Sequence, residues 1–248
     1  MSAPVLAALA LLVVGTSFLS GVFGMAGGLI LLGVLLLLMD VAPAMILFGV
    51  TQLGANGWRA VLWRKRVVWR LIGGYAIGSL ATFALLKAVA FLPDKAMVYI
   101  GLGLLPIVAE MLPASWRPDI TRPFMPVVCG AFIMAMQLMA GGAGSVLDLF
   151  FQRSGLDRRE IVATKAVTQV LTHVCRIVYF GSFVDIGSGL LPLWIYAGAI
   201  AMALIGTTWA ASTLTRMSEA AFRMWSRRII LAISASFLVR GFWLLYAG

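Results

Sequence analysis

FMPVVCGAFIMAMQLMAGGAGSVLDLFF, residues 124–151, carries a single charged side chain, Asp148, and is interrupted by a glycine pair, Gly141 and Gly142. Its apolar windows predict a helix over 123–140 and a second, shorter one over 143–152. At about 1.5 Å per residue the second reaches only roughly 15 Å, half of a bilayer core of about 30 Å. A backbone turn at that depth is tolerated only where protein or a water-filled cavity covers it. The stretch therefore reads as a helical hairpin that enters and leaves a membrane by one face. The N-terminal amides of its short arm point into the protein.

The same break occurs earlier in the chain. Met25-Ala26-Gly27-Gly28 matches Met139-Ala140-Gly141-Gly142 and separates an apolar segment at 4–22 from a short one at 28–39. Downstream, Val50-Thr51-Gln52 with Arg59 recurs as Val167-Thr168-Gln169 with Arg176 at the same internal spacing. The offset is 114 residues for the first match and 117 for the second, and the loop Gly155–Arg159 accounts for the difference. Three further segments follow each hairpin, at 43–63, 70–92 and 96–112, and at 160–181, 189–213 and 228–247. The chain thus divides into repeats at 1–115 and 116–248, each a broken hairpin plus three spanning helices.

Composition gives the same class. The 248 residues are 62% hydrophobic and 11% charged, with a mean hydropathy of +1.03, against about 45–50% apolar and about 25% charged in soluble domains. An all-α polytopic membrane protein is expected, since in lipid the backbone amides must be satisfied within helices. The net charge of +10 would suit nucleic acid if it formed one surface, but the cations lie in short runs between apolar stretches. Cys129 and Cys175 fall inside apolar segments, which argues against a disulfide framework, and no ligand spacing implies a metal or other cofactor. Met1–Ser20 lacks a basic n-region, which argues against a cleaved signal peptide.

The cations set an orientation. Arg64, Lys65, Arg66 and Arg70; Arg117 and Arg122; Arg153, Arg158 and Arg159; and Arg216, Arg223, Arg227 and Arg228 fill four connections, which the positive-inside rule makes cytoplasmic. The connections near Asp40, Asp94 to Lys95 and Asp185 are external. Six full spans and two hairpins follow, with both termini outside a bacterial-type inner membrane. Segment 43–63 then runs opposite to its counterpart 160–181, as an inverted repeat requires. Trp63, Trp69, Trp116, Trp225 and Tyr246 suit the interfacial belts.

Several polar residues could carry chemistry. Gly27-Gly28 and Gly141-Gly142 open two half-helices whose N-termini present partial positive charge to an anion; close packing through small residues is the alternative. Gln52, Asn56 and Arg59 share one helix face, and Gln169, His173 and Arg176 share another, with Thr51 and Thr168 beside them and Lys165 four residues before Gln169. The amides and hydroxyls can donate to anionic oxygens, or hydrogen-bond between helices. Arg59, Arg176 and Lys165 lie near span ends, where a cation can face a cavity or snorkel to the interface. His173, the single histidine, and Asp148 in the short arm are candidates for a coupling proton, a satisfied buried histidine being the other reading. Lys87 near an outer end reads as snorkelling, and Glu110 and Arg240 lie near span ends without a motif.

Across nearly its whole length the chain resembles the sulfite exporter TauE/SafE family, also called the toluene sulfonate uptake permease family. The resemblance rests on Gly21-Val22-Phe23-Gly24-Met25-Ala26-Gly27-Gly28, on Met139-Ala140-Gly141-Gly142-Ala143-Gly144 and on Arg158-Arg159-Glu160-Ile161-Val162-Ala163-Thr164. The family pattern is a hydrophobic G-x-G-G-G stretch with a proline shortly after. Here Ala26 replaces one glycine, Gly33 stands near the first proline position and Asp148 at or beside the second. The resemblance implies transport of sulfite, sulfonates, thiosulfate or related small anions.

A secondary anion transporter is the expected function, with a small anion, coupling protons and the bilayer as partners. An anion channel could use the same elements. A membrane-embedded enzyme would need a nucleophile–base pair or a ligand set, which one histidine does not supply. A partner subunit would pack its polar faces against another chain. No P-loop is present.

Overall fold

A computed structural model describes residues 3–23, 26–184, 190–214 and 219–247. Gly24 and Met25 of the first repeat motif, Asp185 and Arg216 lie outside them, as does the side chain of Arg223. Among the described residues there are ten α-helices and no strand. The first half holds α1 (Ala3–Phe23), α2 (Ala26–Leu38), α3 (Val41–Leu62), α4 (Trp69–Ala88) and α5 (Lys95–Met111). The second holds α6 (Met125–Met139), α7 (Gly144–Phe151), α8 (Arg158–Gly181), α9 (Leu193–Leu214) and α10 (Glu219–Ala247).

Local chemistry fixes several of these ends. Asp94 caps α5, its carboxylate accepting from the Met97 amide at 2.7 Å. Asp157 opens α8 in a capping box: it accepts from the Arg159 and Glu160 amides, and the Glu160 carboxylate accepts from the Asp157 amide at 3.0 Å. The Glu160 and Arg159 amides, with the Arg66 and Arg159 charges, hold the Asp157 carboxyl below the usual carboxylate range. Phe124 at φ 62 and Pro126 in the first turn start α6 sharply. α2 and α7, at 13 and eight residues, are the short arms that the glycine breaks predict.

α1, α4, α8, α9 and α10 are long and apolar enough to cross a membrane. Four of these, α4, α8, α9 and α10, are among the six spans expected from hydropathy, and the differences lie in α1, α3 and α5. α1 itself has crossing length, α5 is only 17 residues long, and α3, at 22 residues, has its apolarity diluted by Gln52, Asn56 and Arg59. Large apolar side chains such as Ile77, Leu85, Met111 and Val239 lie exposed on the outside, as lipid-facing side chains do. Trp69, Trp116, Trp225 and Tyr246 are exposed as well.

The packing follows a rule of exchange. α1 lies along α9, and α6 lies along α4; α2 touches α10, and α7 touches α5; α3 meets α9, and α8 meets α4. α3 packs on α8 and α5 on α10. Swapping each helix for its counterpart in the other half reproduces this set of pairs. Small residues bring the helices together: a Cβ on Gly78 of α4 would strike the Val127 carbonyl of α6, and one on Gly206 of α9 the Val14 carbonyl of α1.

Described cations of the four connections lie at one end of the bundle. Arg66 approaches Asp157 at 3.9 Å, Arg153 donates to the Ser115 carbonyl at 3.1 Å, and Arg227 approaches Glu110 at 3.5 Å. Asp40 and Lys95 pair at 3.4 Å at the opposite ends of α3 and α5.

Candidate functional site

α3 and α8 cross the centre of the molecule side by side, and α8 is the most enclosed spanning helix, 44% buried against 11% for α10. Their facing polar residues open onto a cavity of about 120 Å³. α3 contributes Phe48, Gln52, Asn56 and Arg59, and α8 contributes Lys165, Gln169 and His173. The helical spacing of three and four residues places each set on one face. Gly28 of α2 and the break residues Gly141, Gly142, Ala143 and Gly144 close the cavity between them. Gly28 of the first glycine pair and the whole second break therefore reach the same space.

Gly28 lies beside Gln52: a Cβ there would stand 2.7 Å from its amide nitrogen and push that flexible side chain aside. Gly141 has φ +75, a left-handed conformation that an L side chain adopts only under strain. The residue preceding α7, Ala143, offers no side-chain cap. The first-turn amides of α7 are thus left as donors beside the cavity.

Hydrogen bonds orient the polar lining. Arg59 Nη1 donates to Asn56 Oδ1 at 3.0 Å. Gln137 Nε2 lies 3.4 Å from His173 Nδ1, and the imidazole meets the Phe48 ring edge-on at 5.8 Å between centroids. Lys165 forms an ion pair with Asp148, so the short arm α7 is tied to α8 inside the cavity.

Four residues singled out by sequence do not line this cavity. Gly27 faces the other way, where a Cβ would fall on the Thr16 carbonyl of α1. The Thr168 hydroxyl donates to the Lys165 carbonyl of its own helix at 2.8 Å, and its repeat counterpart Thr51 donates to Leu47 in the same manner. Arg176 is fully buried. Its Nη2 donates to the carbonyls of Gln137, at 2.9 Å, and Gly141, at 2.6 Å, and the guanidinium lies 4.8 Å above the Phe48 ring. The Gln137 carbonyl lies in the last turn of α6 and the Gly141 carbonyl just beyond its end, so Arg176 satisfies the broken helix with both hydrogen bonds and charge. Arg59, its counterpart, faces the cavity.

The site also contains Gln137 and Ser20, which the sequence does not mark as binding candidates, and Lys165, which it leaves between cavity and interface, with Leu29, Leu32 and Leu102 as apolar walls. Signals existed for two of them. Gln137 is a lone amide in an apolar run, four residues before Gly141, and Lys165 shares a helix face with Gln169.

A family model described as sulfite exporter TauE/SafE matches residues 7–237. The chain belongs to the TauE/SafE family. No curated protein and no solved structure matches it. The matched residues of this TauE/SafE protein take in both glycine breaks and all the polar residues of the cavity. Membership makes the protein a membrane transport protein of a sulfite-exporter family.

Proposed function

We propose that this TauE/SafE protein is a secondary transporter of a small sulfur anion, such as sulfite, thiosulfate or a sulfonate, and that the central cavity is its binding site. The observation that carries the reading is the convergence of Gly28 and the break at residues 141–144 with Gln52, Asn56, Arg59, Gln169, His173 and Lys165 on one space. Amides, cationic side chains and the uncapped N-terminus of α7 together offer an anion charge-assisted donors from several directions. Residues 1–115 and 116–248 act as inverted repeats that rock about the site, and the cationic end faces the cytoplasm.

Asp148 supplies the coupling. It is the only carboxylate among the cavity residues, and it holds Lys165. An anion that recruits Lys165 strips Asp148 of its counter-ion, and a proton then neutralises the carboxylate. Anion and proton are carried together. His173, held against the Gln137 amide, is the second place for that proton.

Proteoliposome uptake of labelled sulfite, thiosulfate and small sulfonates, with and without an imposed pH gradient, tests this. Saturable uptake that responds to the gradient is expected. Losing two charge-assisted bonds of about 1.5–3 kcal/mol each in Gln52→Ala/Gln169→Ala weakens binding by at least about 100-fold. Asp148→Asn keeps saturable uptake and loses its response to the gradient. Unchanged affinity in the folded double variant, or no flux of any of these anions, would sink the assignment.

A further inference from the structure

A second cavity, of about 350 Å³, opens on the lipid-facing side where α2, α5 and α10 meet, within the range of about 300–1,000 Å³ that ligand sites occupy. Its walls are apolar: Ile30, Val34 and Leu37 from α2, and Ile233 and Phe237 from α10. Leu37 is 59% exposed, so the groove communicates with the bilayer rather than with the central cavity. The floor is fixed. The Tyr99 hydroxyl donates to the Gly33 carbonyl at 2.8 Å, and the Tyr99 and Phe237 rings pack 5.6 Å apart.

One charged residue, Arg240, lines this groove. Its Nε is buried without a hydrogen-bond partner, and its guanidinium lies 4.4 Å over the Trp243 ring. No ion pair is formed by Arg240 among the described residues. Asp40, the carboxylate at that end of α2, pairs with Lys95 instead. Arg240 stands seven residues before the last residue of α10, about 10 Å along the axis. A snorkelling arginine at that depth reaches the boundary between acyl chains and headgroups. An apolar trough with one unmatched cation at its interfacial end complements a molecule with an acyl chain and an anionic head.

We propose that the α2–α5–α10 groove is a binding site for an anionic phospholipid, its acyl chain lying along Val34, Leu37 and Phe237 and its phosphate on Arg240. The site is separate from the transport cavity and does not depend on the transported anion. A fixed lipid there would brace α2, the short arm that carries Gly28.

Native mass spectrometry of the full chain, released from nanodiscs holding equal phosphatidylglycerol and phosphatidylethanolamine, reads the occupancy. The wild type should retain phosphatidylglycerol in preference. Arg240→Gln should lower that preference roughly tenfold, as the loss of one charge-assisted contact does, and Arg240→Lys should keep part of it. Val34→Trp, which fills the trough without touching the cation, should lower retention of both lipids and serves if Arg240→Gln does not fold. Equal retention of the two lipids by the wild type, or unchanged retention in both Arg240→Gln and Val34→Trp, overturns the proposal. So does displacement of the lipid by millimolar sulfite, which would give Arg240 to the transported anion.

Discussion

Arg176 shows how a broken helix is made tolerable in the interior of this protein. Breaking α6 exposes carbonyls that neither lipid nor a regular helix can satisfy. A single guanidinium accepts the task for Gln137 and Gly141. Arg176→Ala should destabilise the protein by roughly 2–5 kcal/mol through unsatisfied carbonyls and an unfilled volume, measured as a fall in thermal midpoint in detergent. An unchanged midpoint would remove Arg176 from this structural role. Spacing alone grouped Gln52 with Asn56 and Gln169 with His173, because three- and four-residue intervals determine a helix face. The same spacing grouped Arg176 with that face and could not show that its head turns back to the α6 carbonyls. The Lys165–Asp148 pair was equally hidden, since it joins two helices across a loop and depends on how α7 folds against α8. Lys165 was therefore read from its distance to the span end rather than from its partner.

At the scale of elements, glycine breaks were readable because they interrupt apolar runs that nothing else interrupts. Helix ends were less so. Hydropathy places the start of the last segment at 228, but α10 begins at Glu219, because a helix continues into water wherever its backbone bonds do, whereas apolarity stops at the interface. α6 is shorter than its apolar run because Phe124 adopts a left-handed conformation ahead of it. The capping box of α8 sets the Asp157 carboxyl against the first-turn amides, with Glu160 three residues on. Because that carboxyl is held below its ordinary range, its contribution is present at neutral pH, persists down to about pH 4, the ordinary carboxylate value, and fades as the pH falls through the lower folded-state value. Wild-type protein should therefore lose more thermal stability between pH 7 and pH 3 than Asp157→Asn, which caps in both conditions. Equal losses would show that the cap's charge is irrelevant to α8.

Over the whole molecule, repeated sequence becomes reciprocal packing, yet the two halves differ in chemistry. Phe48 of α3 occupies the repeat position of Lys165 in α8, so the cavity ion pair belongs to one half only. Sequence offsets made the repeat readable; they could not show that α1 leaves its own half to lie along α9 while α4 takes α6. Neither half keeps its helices to itself. Residues 1–115 expressed alone should remain protease-sensitive in the membrane, and co-expression with 116–248 should restore protection; full protection of the first half alone would contradict this. The pairing of α1 with α9 also has a meaning in time. About 190 residues separate the starts of the two helices, so at about 5–20 residues per second the ribosome needs roughly 10–40 s to deliver the partner. Until then α1 waits in the bilayer with only the short arm α2 against it, its main partner still missing. Insertion and assembly of this protein are therefore separate events, and the interval between them is when a membrane chaperone or protease would meet it.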